Sequence, residues 1–201
     1  MKKQQIKRTV EFLYELGTLR YTKRTWVSFL NPDFQNLAEH HFRVVWIAML
    51  IAKEENVKNV EKVMKMALLH DIPESRTGDV NYLQRQYVIR DEDLGLKDMV
   101  DSTIIEDEVN SLWKEYKALN SIEAKIVKDA DNLDVDFELQ EQTFRGYIFP
   151  KELKDGRKFV SENKLFTKTA KKIWGEIQSS NPHSWHVTGR NRFTNGDWNK
   201  K

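Results

Sequence analysis

The chain has 201 residues, 39% of them hydrophobic, which is enough for one folded domain with a sizeable core. The 33 Lys+Arg against 31 Asp+Glu leave a formal net charge of +2, so the charge balance carries no signature of a nucleic-acid coat or polyanion binder. The absence of cysteine excludes a disulfide scaffold, a CxxC redox centre and cysteine-ligated zinc, and any metal must be held by His, Asp and Glu.

The longest apolar run, Val44 to Ala52, is 9 residues long and closes at Lys53, far short of the ~20 needed to span a bilayer. The start, Met1-Lys2-Lys3 followed by Gln4-Gln5-Ile6-Lys7-Arg8, has no apolar h-region and does not read as a secretory signal. A soluble protein of the reducing cytoplasm is expected, with no membrane segment and no indicated nucleic-acid partner.

Helical periodicity dominates, so an all-α domain is expected. The first helix is predicted from about Gln4 to Leu19, with Ile6, Val10, Leu13 and Leu16 on one stripe and Gly17 weakening its end. A loop at Asn31-Pro32-Asp33 leads to Asn36, which with Glu39 three places on has the form of a capping box for a helix carrying the Val44–Ala52 run. A third helix, capped near Asn59, contains Val60, Val63, Met64, Ala67 and Leu68 and must end close to Asp71, because Pro73 disfavours helical geometry at Ile72. Ile105, Val109, Leu112, Trp113 and Tyr116 form the stripe of another helix, and after Asn120-Ser121 a further one starts with Ile122, Ile126, Ala130 and Leu133, the two reading as an antiparallel pair. Tyr147-Ile148-Phe149-Pro150 opens an irregular stretch, Leu165 to Ile177 reads as a last helix, and the polar, aromatic residues 179–201 form an unassigned tail.

Ligand-type residues stand where this pattern calls for apolar ones. His40 shares a stripe with Leu37, Val44 and Ile47; His70 follows Val63 and Met66; Asp131 lies four residues from both Val127 and Val135. A buried carboxylate without a partner would protonate, whereas a divalent cation stabilises its ionised form and holds neutral imidazoles as well. For either histidine alone a satisfied core residue is the simpler reading, and Asp131 alone suits a buried ion pair. The conjunction of two inward histidines, a His70-Asp71 doublet at a helix end and a distant inward Asp brings a metal site level with it. His41 points about 100° from His40 on a helix and is expected at the surface or just behind the ligands, while His183 and His186 have no evident partner.

The order His40, His70-Asp71, Asp131 resembles the H…HD…D signature of the HD-domain superfamily of metal-dependent phosphohydrolases. Ala38-Glu39-His40, Leu69-His70-Asp71-Ile72-Pro73-Glu74, Thr77-Gly78-Asp79 and Lys128-Asp129-Ala130-Asp131 are similar to blocks of the YfbR-type 5′-deoxynucleotidases and their eukaryotic relatives, and Leu112-Trp113-Lys114-Glu115-Tyr116 through Glu123-Ala124-Lys125 to the eukaryotic branch. The resemblance covers roughly residues 10–140. It implies a helical bundle over residues 1–178 with a metal site between core helices, and a homodimer. His40, His70, Asp71 and Asp131 would ligate a divalent cation (Mn, Co, Fe, Ni, Zn or Mg). Glu74, Asp79 and Arg24 would be catalytic, and Arg24, Trp26, Thr77 and Asp79 would contact the substrate. In the bacterial enzymes the Arg and Trp are adjacent, whereas here Thr25 stands between them. Read without the resemblance, Arg24 is equally a solvated member of the Arg20, Lys23, Arg24 cluster.

The implied activity is hydrolysis of deoxynucleoside 5′-monophosphates to deoxynucleoside and phosphate, with a cation activating water and Glu74 managing a proton. Two other readings share the signature. One is hydrolysis of a deoxynucleoside triphosphate, cyclic nucleotide or alarmone; the other is a nucleotide-binding regulatory module without turnover, against which the surplus inward carboxylates Glu74 and Asp79 argue.

Overall fold

The computed structural model describes residues 3–188, so expectations for residues 189–201 of the tail lie outside the described residues. Among the described residues there is no strand, only an isolated bridge between Lys23 and Asn36. No helix among them is long and apolar enough to cross a membrane.

Helix α1 (Lys3–Leu16) stops short of the expected Leu19, because the chain tightens at Gly17 into a 3-10 turn over Gly17–Tyr21. Helix α2 (Leu37–Glu54) starts at the expected capping box: Glu39 N–H donates to Asn36 Oδ1 at 3.1 Å and Asn36 N–H to Glu39 Oε2 at 2.9 Å. Helix α3 (Val60–Leu69) is capped by Asn59, which accepts from Lys62 N–H, and ends ahead of Pro73 so that His70 sits at its C-cap. The short α4 (Glu74–Thr77) follows Pro73 directly, and Gly78, at φ 76°, turns the chain out of it into Asp79.

Two helices lie where the apolar pattern is silent. Helix α5 (Glu92–Val100), capped by Asp91, buries Leu96, Met99 and Val100. After α6 (Glu106–Ala118) and α7 (Ile122–Phe144) comes α8 (Lys154–Asn163), which buries only Ser161 and is held by Arg157, whose guanidinium reaches both oxygens of Asp136 on α7 at 3.0 and 2.6 Å. Helix α9 runs Lys168–Ser179 rather than from Leu165, because buried Asp129 accepts from the N–H groups of Phe166 and Thr167 and from the Thr167 hydroxyl, which fixes those residues as the lead-in. A single turn, α10 (Ser184–Val187), follows, and there His183 Nδ1 lies 3.1 Å from His186 Nε2.

The core sits where α2, α3 and α7 meet. Leu37, Val44, Ala48 and Ile51 from α2, Val63, Met66 and Ala67 from α3, and Ile126, Val127, Ala130 and Leu133 from α7 are all fully buried. These are the three helices that carry His40, His70 and Asp131, so the packing that excludes water also brings the ligand-type side chains together.

Candidate metal centre

His40 Nε2 lies 3.2 Å from His70 Nε2, 3.6 Å from Asp71 Oδ2 and 3.5 Å from Asp131 Oδ1, and His70 Nε2 lies 3.4 Å from Asp71 Oδ2. One atom from each of the four residues falls within 4.8 Å of all the others. Neighbouring ligands around one cation at about 2.0–2.2 Å stand roughly 2.8–3.6 Å apart, so these spacings fit a single ion.

The hydrogen bonds of the two imidazoles make the stronger case. His40 Nδ1 is 2.6 Å from Asp134 Oδ2, and His70 Nδ1 is 2.7 Å from the Ala67 carbonyl oxygen. Both partners are acceptors, so both Nδ1 atoms carry hydrogen, and the neutral rings then aim two bare lone pairs at each other across 3.2 Å. Something positive must lie between them.

In the absence of a cation a proton would do it. Burial and Arg24 push the His40 pKa down, but Asp131, Asp134 and Asp71 outweigh them and raise it to about 10. Burial would raise the carboxyls of Asp71 and Asp131. The facing imidazoles, with Arg24 beside Asp71 and Lys128 beside Asp131, overcome that and hold both well below the usual carboxylate range. The donor set of two imidazoles and two ionised carboxylates suits a divalent metal.

Asp134 is the residue that sequence reasoning missed. It is fully buried, accepts from Gln35 Nε2 at 2.5 Å, and has Arg43 Nε 3.2 Å from its other oxygen. Its position three residues after Asp131 on the same inward stripe was the available signal. His41 is buried rather than at the surface: its Nδ1 is 2.8 Å from the Leu37 carbonyl oxygen and its ring centroid 4.6 Å from that of His70.

Beside the four residues opens a cavity of about 400 Å³, lined by Arg24, Glu74 and Asp79 among others. Arg24 is 6% exposed and faces Asp71 at 3.3 Å, Asp79 at 3.4 Å and Glu74 at 3.9 Å, so it is not a solvated member of a surface cluster. Burial disfavours its charge, and Asp79, Asp71, Asp131 and Glu74 more than restore it. Asp79 is held by the Thr25 N–H at 2.9 Å. Glu74 accepts from Arg90 at 2.9 Å through Oε1, while Oε2 is buried without a hydrogen-bond partner. Burial, Asp71 and Asp79 push its carboxyl up to about 9, with Arg24 and Arg90 only partly opposing. Arg90 also escaped the sequence reading, since it precedes α5 in a stretch with no periodicity.

Trp26 and Thr77 fall outside the cavity lining. In the 3-10 turn Thr25–Ser28, Trp26 packs against Phe29 and Phe34. Thr77 turns its methyl toward α5 beside Gly95 and its hydroxyl to the Pro73 carbonyl.

Residues 16–174 match the HD domain family. Among curated proteins, the 5′-deoxynucleotidase HDDC2 of Danio rerio is 30% identical over 133 residues, which is 63% of this chain and 65% of that protein. The 5′-deoxynucleotidase hdd1 of Schizosaccharomyces pombe is 27% identical over 179 residues, 82% of this chain and 85% of that one. The chain thus spans just under two thirds of the Danio rerio protein it matches. Among solved structures, a conserved hypothetical protein from Pyrococcus furiosus superposes with a TM-score of 0.71 at 25% identity, covering 85% of this chain and 99% of the other. A predicted metal-dependent phosphohydrolase from Magnetospirillum magnetotacticum, at 21% identity, TM-score 0.66 and coverage of 88% and 96%, shares the fold.

Proposed function

Because the chain belongs to the HD-domain family, we propose that it is a divalent-metal-dependent phosphohydrolase that converts deoxynucleoside 5′-monophosphates to deoxynucleoside and phosphate. The observation that carries the phosphomonoester reading is the charge of the cavity. Arg24, Arg85, Arg90, Lys117 and Lys128 face Asp71, Glu74, Asp79, Glu92 and Asp131, five cations against five carboxylates. With Glu74 carrying its proton, four of these carboxyls are ionised, and one divalent cation on His40, His70, Asp71 and Asp131 brings the surplus to three positive charges, enough for a phosphomonoester dianion and short of a triphosphate tetraanion.

The cation, when bound, supplies charge that acidifies water and offsets the phosphate oxygens. The protein's own groups do the rest. Glu74, whose carboxyl burial, Asp71 and Asp79 raise to about 9 in the metal-free protein, is placed to carry a proton and to deliver it to the departing nucleoside oxygen from Oε2, which makes no hydrogen bond. Arg24 can offer its Nε–H, which faces Asp79 at 3.4 Å without a hydrogen bond, to a phosphate oxygen while remaining charged. Asp79, locked by Thr25 N–H, can accept from a sugar hydroxyl, and Trp113, Tyr116 and Leu119 form the apolar wall for the nucleoside. Trp26 and Thr77 would then act on the substrate only through Arg24 and the Gly78–Asp79 turn.

Two imidazoles with two carboxylates admit Mn²⁺, Co²⁺, Fe²⁺, Ni²⁺ and Zn²⁺, with Mg²⁺ least suited to the nitrogen donors. A cysteine-free chain suits the cytoplasm. Phe42, Trp46 and Leu50 on α2, all more than half exposed, support a homodimer, which light scattering tests. Metal-loaded protein is to be assayed against deoxynucleoside mono- and triphosphates and cyclic nucleotides, with products identified. Inorganic phosphate from monophosphates is expected. Tripolyphosphate or pyrophosphate from triphosphates, with monophosphates untouched, overturns the assignment, as does binding of nucleotide without turnover.

A further inference from the structure

A second cleft, of about 400 Å³, opens where α1, α3 and α6 meet, and it shares no lining residue with the cavity described above. Its walls are apolar, with Phe12, Leu19, Leu69, Ile72, Val109 and Leu112 prominent. The charged residues on it, Lys65 and Glu108, satisfy each other at 2.5 Å.

One polar group lies just beneath this surface. His41 lines the cleft, is 94% buried (6% exposed), and its Nε2 has no hydrogen-bond partner. The Leu37 carbonyl oxygen 2.8 Å from Nδ1 can only accept, so Nδ1 carries the ring hydrogen and Nε2 is left as a bare acceptor. A buried acceptor left unpaired is costly, and a leucine or phenylalanine would pack here without that cost. A water is a poor remedy. Buried waters need about 2–4 polar partners, and this lining offers one free atom.

We propose that this cleft is a binding site for a small apolar molecule carrying one hydroxyl or N–H donor, its hydrocarbon body against the leucine and phenylalanine walls and its donor on His41 Nε2. The volume lies within the range of small-molecule sites, and the lone acceptor in an apolar lining is the pattern by which such sites fix orientation. The occupant would lie directly behind His70, whose ring is in contact with that of His41.

The test uses the full chain with Zn²⁺ present and two probes of nearly the same shape, 4-propylphenol and its methyl ether 4-propylanisole, followed by calorimetry and by nuclear magnetic resonance of the imidazole nitrogens and of the Leu69, Ile72 and Val109 methyls. The phenol is expected to bind saturably, to move those methyls, and to shift the His41 Nε2 resonance from that of a bare imine nitrogen toward that of a hydrogen-bonded one. Its affinity should exceed that of the ether roughly 3- to 10-fold, the worth of one neutral hydrogen bond. His41→Phe should abolish this difference while Leu112→Trp, which fills the cleft, should weaken both probes. If either variant fails to fold, the two probes on the native chain still decide. Equal affinity with an unmoved His41 nitrogen, or no saturable binding of either probe, overturns the proposal.

Discussion

Replacing Asp134 by asparagine exchanges one oxygen of a fully buried carboxylate for an amide nitrogen at constant volume. In the native protein that carboxylate takes the His40 Nδ1 hydrogen at 2.6 Å and faces Arg43 Nε at 3.2 Å. An asparagine can still offer His40 one oxygen, but a neutral one, and its NH₂ then meets the Arg43 guanidinium. A hydrogen bond to a charged group is worth about 1.5–3 kcal/mol and a neutral one about 0.5–1.5 kcal/mol, so His40 loses about 1–2 kcal/mol of the polarisation that makes Nε2 a strong ligand. Metal affinity should therefore fall roughly 5- to 30-fold. Competition for Zn²⁺ against a chromophoric chelator measures it. Asp136→Asn is the control: that carboxylate lies two residues on in α7, is also buried, and holds Arg157 instead of a ligand. It should lower the melting temperature and leave Zn²⁺ affinity within about twofold, since it touches no ligand. If Asp134→Asn binds Zn²⁺ as tightly as the native chain, or both variants lose affinity equally, the assignment of the His40 hydrogen to Nδ1 is wrong.

Glu74→Gln keeps the shape and removes the transferable proton, so turnover should fall roughly 10²–10⁴-fold with metal content and KM nearly unchanged, and an unchanged rate makes Glu74 structural. Arg24→Ala should differ by raising KM for a deoxynucleoside monophosphate as well as lowering kcat, because the guanidinium meets the phosphate before reaction; a pure kcat effect refutes a binding role. Metal and pH are linked through His40 and Glu74, whose pKa values in the folded protein, about 10 and about 9, lie above the ordinary 6.5 and 4.5 of these groups. Raised values favour the folded metal-free state below the unfolded pKa, and that contribution is lost as pH rises through the folded one. The metal-free protein should thus lose stability between about pH 5 and 10, while the cation, replacing the His40 proton, binds more tightly over the same interval. The rise in melting temperature on adding Zn²⁺ should grow from pH 6 to pH 8.5, and a rise that shrinks there contradicts the proton–metal exchange.

How much of this could be read from the residues depended on whether burial leaves a periodic trace. α2, α3 and α7 bury wide apolar stripes, so their caps, their inward faces and the three ligand-bearing positions were legible. α8 was not, because its attachment is the Arg157–Asp136 ion pair instead of an apolar face, and ion pairs between distant segments have no period. α5 is only nine residues long and buries its apolar residues, Leu96, Met99 and Val100, in its second half alone, which is too short a stripe to stand out as a period.

The same limit operates inside the site. Periodicity shows that Asp131, Asp134 and Glu138 share one face of α7, all turned toward the interior, but it does not say which of these carboxylates meets a cation and which meets a ring hydrogen. That division follows from rise along the axis. Asp134 is three residues, about 4.5 Å, further along α7 than Asp131, which moves its carboxylate from the Nε2 side of the His40 ring to the Nδ1 side. Glu138 is a further turn on and reaches neither nitrogen; it accepts from Gln142 and faces Arg43 instead. One helix thus supplies the ligand, the support of a second ligand and the anchor of that support at successive turns. An inward acidic stripe at such spacing is therefore evidence for a layered polar site, and the layers separate only when the facing helix, here α2 with His40 and Arg43, is set against it.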